Sequence, residues 1–168
     1  MSLLNQEEQI KKVYSLLESL NIKYQEVKHP QLYTEKDNNK YGIKFDGSLC
    51  KNLFIQNKNE SNYYLIIVEI NKRLNLKNIQ EILNETRLSF GKEQKLIQEL
   101  NTTPGNLSIF NLANIQKTNI KFIVDKNLLK LKKIGFHPNI NNRTVFFEGK
   151  HIEKVLKFYN IEYMLIDM

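Results

Sequence analysis

Several residue types are scarce in this chain of 168 residues, and each shortage excludes a class of protein. The single cysteine, Cys50, excludes an internal disulfide and a cysteine-based zinc site. No apolar run approaches the roughly 18 residues that a membrane-spanning helix needs. The first residues lack both the basic and the apolar region of a signal peptide. We therefore expect a cytoplasmic protein with no membrane partner.

Familiar catalytic motifs are missing as well. The sequence contains no Gly-x-Gly-x-x-Gly loop, no phosphate-binding Walker loop and no Gly-x-Ser-x-Gly elbow. His29, His137 and His151 show no spacing that is typical of metal ligands. The sequence accordingly predicts no cofactor, no metal and no serine-based nucleophile.

Positive charge is plentiful, with 25 lysines and arginines against 18 acidic residues and a net charge of +7. A cationic surface supplies the sequence-independent part of the affinity for nucleic acids. Only three of the basic residues are arginine, which a bidentate phosphate or base-reading site favours. An AT-rich genome raises the lysine and asparagine content of any protein. The charge alone therefore neither establishes nor excludes an RNA partner.

Hydrophobic periodicity indicates one α/β (α+β) domain that spans residues 1–168, with residues 1–4 expected to be disordered or extraneous. Amphipathic spacing predicts helices from the start to Asn21 and over 76–83, 93–100 and 150–159. A capping pattern at Thr34–Asp37 predicts another helix start. Strand-like runs lie at 24–27, 49–56, 63–70, 120–124, 134–137, 144–148 and 162–166. The second and third runs predict a β-hairpin within a mixed sheet.

Three polar clusters interrupt the apolar sequence, and each has a structural interpretation beside a functional one. Lys51 begins a strand, where its ammonium either extends to solvent or meets an anion in a cleft. Pro104-Gly105 makes a turn, in which Gly105 can take positive φ and expose amides to a carbonyl oxygen or a water. His137 precedes a proline that keeps it extended, and it bonds to backbone or acts as a donor, acid or base.

The order of these clusters resembles the YbaK-like family of aminoacyl-tRNA editing deacylases. Within that family the chain is most similar to free-standing relatives of the prolyl-tRNA synthetase editing insert. The patches that carry the resemblance are Lys51-Asn52-Leu53-Phe54, Tyr63-Tyr64-Leu65, Arg87-Leu88-Ser89-Phe90, Pro104-Gly105, Asp125-Lys126-Asn127-Leu128 and Phe136-His137-Pro138-Asn139. The resemblance covers roughly residues 5–168. It implies a mostly antiparallel sheet or barrel flanked by helices.

Residue roles follow from the resemblance only where the sequence matches. Lys51 corresponds to the family lysine that holds the backbone of the terminal CCA segment, and Asn52 lies beside it. Gly105 corresponds to the glycine of the Gly-x-x-x-Pro loop, whose backbone binds the aminoacyl end and positions the attacking water. Lys51 and Gly105 are thus the candidate catalytic residues.

The amino-acid pocket of the family contains a histidine that His137 matches. Its neighbours Asn139, Asn141 and Thr144 are candidate substrate contacts. One departure is that the family loop places proline four residues after its glycine, where this chain has Ile109. Because Ile109 lacks the fixed φ of proline and carries a branched side chain, it bears on the shape of the pocket and on which amino acid fits.

The implied reaction is hydrolysis of a mischarged tRNA, with alanine on proline tRNA as the expected substrate. Aminoacyl esters are labile, so the site has to position a water and stabilise an oxyanion, and in the family the substrate's ribose hydroxyl assists. The implied partners are the acceptor end of an aminoacylated tRNA and prolyl-tRNA synthetase. Two alternatives stay open. One is a non-catalytic module for an aminoacyl-RNA end or an amino acid-like ligand, which Ile109 favours, and the other is a general RNA-binding protein.

Overall fold

Alternating apolar residues and turn signals produce alternating strands and helices along the chain. The structure is a computed structural model that describes residues 5–32, 40–115 and 118–168. Its helices include α1 (Gln6–Ser19), α2 (Leu76–Ile82), α3 (Glu93–Leu100) and α4 (Ile152–Phe158). Its strands are β1 (Gln25–Lys28), β2 (Ser48–Asn57), β3 (Tyr63–Glu69), β4 (Leu88–Phe90), β5 (Ile120–Asp125), β6 (Ile134–Phe136), β7 (Arg143–Phe147) and β8 (Tyr163–Ile166).

The strands form one mixed sheet in the order β1-β7-β6-β2-β3-β5-β8, and β4 pairs with the far end of β2. Among the described strands, the pairings β1–β7, β2–β3, β2–β4 and β6–β7 are antiparallel. The pairings β2–β6, β3–β5 and β5–β8 are parallel. The prediction of a mixed, mostly antiparallel sheet flanked by helices is therefore confirmed, and so is the β2–β3 hairpin.

Alternation along β3 sends its side chains into two hydrophobic clusters, one on each face of the sheet. Leu65 and Ile67 join the larger cluster with residues of α1, α3 and α4. Tyr64 and Ile66 join the smaller cluster with Ile79 of α2. All four strand side chains are at most 4% exposed, so β3 is covered on both faces. Helices on both sides of the sheet thus fix the position of its central strands.

Asparagine takes the place of glycine at the ends of the helices. Asn101 caps α3, and Asn21, Asn84 and Asn160 follow α1, α2 and α4 within two residues. All four have φ between 50° and 53°. Asparagine tolerates this left-handed conformation better than most residues with a side chain, and it is a common alternative to glycine at this position. Part of the abundant asparagine therefore has a structural use in a chain with only six glycines.

Most boundaries of the described elements agree with the sequence predictions to within two residues. Strand β4 was not predicted, because three residues are too few to show alternation, and neither were the 3-10 turns between the longer elements. The predicted helix start at Thr34–Asp37 and the predicted disorder of residues 1–4 lie outside the described residues. The single domain over 1–168 stays a prediction. In the described part of the chain, no helix combines the length and apolarity needed to cross a bilayer.

Gly149 occupies a position in the fold that leaves no room for a side chain. A methyl group there would overlap the carbonyl oxygen of Leu128, and the Gly149 N–H donates to the carbonyl of Leu131 at 2.8 Å. Backbone atoms cannot rotate away from such an overlap. We expect Gly149→Ala to lower the free energy of unfolding by about 3 kcal/mol, as measured by urea denaturation.

The neighbouring Lys150 provides the control for this substitution. Its side chain is 61% exposed and pairs with Glu148 on the surface. Exposed ion pairs contribute little, so Lys150→Ala should change the free energy of unfolding by less than about 1 kcal/mol. Equal stabilities of the two variants would contradict the prediction.

Candidate active site

A cavity of about 280 Å³ lies beside the paired starts of β2 and β6, with the turn at 104–107 on one side. The two strands pair in parallel over two positions, Ser48 opposite Ile134 and Leu49 opposite Gly135. Beyond these positions the residues that follow on each strand line a gap. Five of the eight predicted site residues are in its lining, namely Lys51, Asn52, Gly105, His137 and Thr144.

Lys51 is held in this cavity by backbone carbonyls. Its Nζ donates to the carbonyl oxygen of Ile70 at 3.1 Å and to that of Lys72. An ammonium has three N–H donors, so two bonds fix its position and the third can meet an anion in the cavity. The Lys72 side chain in turn pairs with the fully buried Asp125 at 2.5 Å. This ion pair fixes the chain segment whose carbonyls hold Lys51.

The ring of His137 lines the cavity, and the ring of His29 packs against it from outside the lining, with centroids 6.0 Å apart. Nδ1 of His137 is 3.0 Å from the carbonyl oxygen of Arg143, and Nδ1 of His29 is 2.7 Å from that of Pro30. Because a carbonyl oxygen only accepts, both Nδ1 atoms carry the hydrogen. In the neutral rings Nε2 is then an acceptor, and the Thr144 hydroxyl donates to Nε2 of His29 at 2.9 Å.

Burial keeps these rings neutral at pH 7. Removal from water lowers the pKa of His137 below its ordinary value of 6.5. The bond to the Arg143 carbonyl opposes that shift in part, and a positive charge on His29 would add to it. Burial also lowers the pKa of His29. His137 therefore has an unprotonated Nε2, which can accept a hydrogen bond from a ligand.

The turn beside the cavity differs from the sequence prediction. Gly105 does not take positive φ, since it is the middle residue of the 3-10 helix Pro104–Asn106. The N–H of Asn106 donates to the carbonyl of Thr103 at 3.0 Å, and that of Leu107 donates to the carbonyl of Pro104 at 3.3 Å. The fixed φ of proline and these bonds favour a right-handed turn. The Gly105 amide precedes the first bonded N–H of the turn, so it remains a candidate to bind a carbonyl oxygen or a water.

The other three predicted site residues lie outside the cavity lining. Ile109 is fully buried in the core and is the first residue of a 3-10 helix. Proline is favoured at a first helical position but is not required there, so isoleucine replaces it without entering the cavity. The buried Asn141 accepts at its carbonyl from the N–H of Leu32 at 3.1 Å. Asn139 donates its Nδ2 to the carbonyl of Phe110 at 3.0 Å. Substrate contacts of Ile109, Asn139 and Asn141 stay predictions.

The thiol in the cavity is poorly suited to nucleophilic attack. Burial raises the pKa of Cys50, and the negative charges of Glu69 and Asp125 raise it further. Because the thiolate is the reactive form, a thiol that stays protonated at neutral pH is a weak nucleophile. Among residues 5–32, 40–115 and 118–168, no three His, Cys, Asp or Glu side chains are grouped as metal ligands would be.

Two residues at this site were not predicted from the sequence, namely Phe45 in the lining and His29 behind it. His29 reaches the site because β1 pairs antiparallel with β7, which sets Val27 opposite Thr144. Phe45 lines the cavity and packs edge-on against His29, with ring centroids 5.5 Å apart. One signal for His29 was available, because it precedes a proline just as His137 does. Nothing in the local sequence marks Phe45.

Comparison with known proteins identifies the class of this site. Residues 29–155, which include every residue of the cavity lining, match the aminoacyl-tRNA editing domain. The chain belongs to this family, and the sequence prediction of an aminoacyl-tRNA deacylase, an ester hydrolase, is confirmed.

Two relatives show how far the similarity extends. The chain is 30% identical over 145 residues to the prolyl-tRNA editing protein ProX of Acetoanaerobium sticklandii, which covers 86% of this chain and 88% of the relative. It is 27% identical over 133 residues to the prolyl-tRNA synthetase associated domain-containing protein 1 of Mus musculus, covering 77% and 78%. A solved structure of a candidate trans-editing enzyme for prolyl-tRNA synthetase has the same fold, with a TM-score of 0.67 at 15% identity over 98% of this chain and 99% of the other.

The neutral histidines make stability depend on pH. In the unfolded chain a histidine titrates near 6.5, whereas burial lowers the pKa of His137 and His29 in the folded protein. As the pH falls from 7 to 5.5, the unfolded state binds protons first, so the free energy of unfolding should decrease. NMR titration of the imidazole Cε1–H signals should give a midpoint below 6.5 for His137. A midpoint at or above 6.5 would show that its ring is not desolvated as the structure indicates.

The Lys72–Asp125 pair offers a test of how Lys51 is held. In Lys72→Met the buried Asp125 carboxylate loses its cation, which should lower the free energy of unfolding by about 3–5 kcal/mol. The folded fraction should also hydrolyse charged tRNA about 10-fold more slowly, because the segment that carries the carbonyl of residue 72 loses its anchor and holds Lys51 less firmly.

Lys126→Met is the matched control for Lys72→Met. Lys126 pairs with Asp167, but both side chains are about half exposed, so little stability depends on that pair. Urea denaturation and a deacylation assay should leave this variant close to the wild type. Wild-type activity in folded Lys72→Met would show that the placement of Lys51 does not depend on the ion pair.

Proposed function

We propose that the protein hydrolyses the ester between a small, wrongly attached amino acid and the terminal adenosine of a tRNA, with alanine on proline tRNA as the main substrate. The observation that carries this proposal is the grouping of Lys51, Gly105 and His137 around one small cavity. The choice of proline tRNA rests on the relatives, because ProX is a prolyl-tRNA editing protein.

The size and lining of the cavity support a small amino acid. Its volume of about 280 Å³ is slightly below the roughly 300–1,000 Å³ of typical small-molecule sites. Leu32, Phe45 and Leu49 supply apolar walls beside the polar groups. One methylene changes binding in an apolar pocket by only about 1–3 kcal/mol, so attraction alone selects weakly among small side chains. Steric exclusion of the larger proline is the simpler route to selectivity.

Each of the three residues has a part that follows from its chemistry. The third N–H of the Lys51 ammonium binds a backbone phosphate of the terminal nucleotides. The Gly105 amide donates to the ester carbonyl oxygen, on which negative charge develops during attack. The neutral His137 accepts at Nε2 from the α-ammonium group of the amino acid. The substrate is thus held at its phosphate, its carbonyl and its amino group.

The reaction proceeds by attack of one bound water on the ester carbonyl carbon. A bond forms between the water oxygen and that carbon, and the bond from the carbon to the ribose oxygen then breaks. The leaving ribose oxygen takes up the proton that the water releases, with the neighbouring ribose hydroxyl as the relay. Free amino acid and uncharged tRNA are the products, and the protein contributes position and charge stabilisation.

The charge of the chain and the names of its relatives indicate which partners this reaction has. The net charge of +7, mostly from lysine, favours a polyanionic partner such as the acceptor end of a tRNA. Relatives carry prolyl-tRNA synthetase in their names, which makes that enzyme the expected source of the mischarged tRNA. The protein then acts in the cytoplasm on tRNA that the synthetase releases.

A deacylation assay on Ala-, Ser-, Cys- and Pro-tRNA(Pro) tests the proposal. We expect hydrolysis of Ala-tRNA(Pro) to be fastest and Pro-tRNA(Pro) to be spared. Lys51→Met removes a charged hydrogen bond and should lower kcat/KM on Ala-tRNA(Pro) about 10- to 100-fold. Lys121→Met, on β5 with a side chain 51% exposed, removes an equal charge away from the cavity lining and should have little effect.

The outcome of the same assay separates the competing functions. Binding of charged tRNA by a folded protein that hydrolyses none of the four substrates would support a non-catalytic binding module. Equal affinity for charged and uncharged RNA, with a steep fall as salt increases, would support a general RNA-binding protein. Full activity of Lys51→Met would remove Lys51 from the mechanism.

A further inference from the structure

One histidine lies behind the lining of the active-site cavity and contacts three of the residues that form it. His29 is not itself part of the lining. Its ring packs against the rings of Phe45 and His137, and it accepts a hydrogen bond from Thr144. The three lining residues come from the segment before β2, the segment after β6 and strand β7. His29 is therefore a point at which three separate parts of the cavity wall meet.

The backbone fixes His29 just after the end of β1. The β1–β7 ladder ends with Lys28 opposite Arg143, and the N–H of His29 then donates to the carbonyl of Asn142 at 3.0 Å. The guanidinium of Arg143 also pairs with the carboxylate of Glu26 on β1 at 3.4 Å. Strand pairing and an ion pair thus hold the backbone of His29 against β7 and the residues before it.

Two hydrogen bonds fix the orientation of the His29 ring. Its Nδ1–H donates to the carbonyl of Pro30 at 2.7 Å, and the Thr144 hydroxyl donates to Nε2 at 2.9 Å. Both nitrogens of the neutral imidazole are then in use, one as a donor and the other as an acceptor. His29 therefore has no free ring nitrogen for proton exchange with a substrate. What it can do is determine where its neighbours lie.

The bond to Nε2 selects one orientation of the Thr144 side chain. With the hydroxyl turned toward His29, the methyl group lies against Gly135, where an added Cβ would be only 2.7 Å from it. Threonine carries two heavy atoms on Cβ, so one hydrogen bond decides where both of them point. Both Thr144 and Gly135 line the cavity. The bond therefore helps to set the shape of the wall at this point.

The His29 ring also supports two aromatic rings of the lining. Its centroid is 5.5 Å from that of Phe45, in an edge-on contact, and 6.0 Å from that of His137. Both distances lie within the roughly 4.5–7 Å of favourable aromatic pairs. Phe45 makes a further ring contact with the buried Phe146, at 5.7 Å. Removal of the His29 ring would leave space behind Phe45 and His137, into which either could move.

We propose that His29 is a positioning residue, which fixes the width of the amino-acid pocket by holding Phe45, His137 and Thr144 in place. The identification of the cavity as an amino-acid pocket rests on the proposed function. One methylene is worth only about 1–3 kcal/mol in an apolar pocket, so discrimination by size depends on a wall that does not yield. His29 thus contributes to the exclusion of proline without touching the substrate.

The ratio of two rates tests this role independently of stability. His29→Ala removes the ring and both of its bonds. We expect kcat/KM on Ala-tRNA(Pro), divided by kcat/KM on Pro-tRNA(Pro), to fall about 10-fold, because a looser wall admits the larger amino acid. A purely structural role would lower the folded fraction and reduce both rates equally. An unchanged ratio would therefore overturn the proposal.

A second variant separates the hydrogen bond from the ring. In His29→Gln the amide oxygen can accept from the Thr144 hydroxyl, but no ring packs against Phe45 and His137. Its ratio should lie between those of the wild type and His29→Ala. If His29→Ala does not fold, an unchanged ratio in His29→Gln overturns the proposal in its place.

His151→Gln is the matched control for these variants. His151 is also partly buried, but it lies at the N-cap of α4 and outside the cavity lining. This variant should keep the ratio of the wild type. A fall as large as that of His29→Gln would show that selectivity responds to any histidine loss, against a specific role of His29.

NMR of the free protein tests the positioning without any tRNA. The wild type should show ring-to-ring NOE contacts from His29 to both Phe45 and His137, and three-bond couplings that report one χ1 rotamer for Thr144. In His29→Ala the couplings should become averaged over rotamers and the Phe45 ring signals should shift. An active enzyme in which neither changes overturns the positioning and leaves the function standing. These changes in a protein that hydrolyses no charged tRNA overturn the function and leave the positioning standing.

Discussion

The rest of the structure depends on one strand, β2, which has partners along its whole length. Its middle pairs with β3, its last residues pair with β4, and its first residues pair with β6. The parallel pairing with β6 is limited to Ser48 and Leu49. Because that pairing stops there, the following residues, Cys50 to Asn52, face a gap. The active-site cavity is thus a consequence of where one short ladder ends, and the core on both faces of β3 keeps that point fixed.

The site combines one fixed positive charge with neutral hydrogen-bonding groups. Lys51 is tied to two carbonyls of the segment after β3, and the buried pair of Lys72 and Asp125 secures that segment. His137 and His29 keep their Nδ1 hydrogens on backbone carbonyls, which fixes the tautomer of each ring. These groups need little rearrangement when a substrate binds. Such preorganisation is what hydrolysis of a labile ester requires, because the barrier is lowered mainly by placing a water and stabilising developing charge.

Most of the fold could be predicted from the sequence. Its longer strands show alternation of apolar and polar residues, and its helices are long enough to show an apolar stripe. The order of the patches that resemble the editing family also pointed to Lys51 and His137. Contacts between distant residues could not be predicted, since His29 meets a threonine 115 positions away through strand pairing. The turn composition allowed Gly105 a positive φ, but the proline before it favours a right-handed turn. Asn139 lies two residues from His137, yet it has a left-handed φ of 64° and lies outside the lining of the active-site cavity.

The turn at 103–106 holds the Gly105 amide beside the active-site cavity. It is a single 3-10 turn that the N–H groups of Asn106 and Leu107 close on the carbonyls of Thr103 and Pro104, and Gly105 lines the cavity. Beyond it, Ser108 accepts from the N–H of Phe110, and Ile109 is anchored in the core, so the loop is fastened at its far end. The turn is therefore restrained by its own hydrogen bonds and by the core behind it. The Gly105 amide is thus placed in advance, and a donor that is already in position stabilises developing charge without the cost of reorganisation.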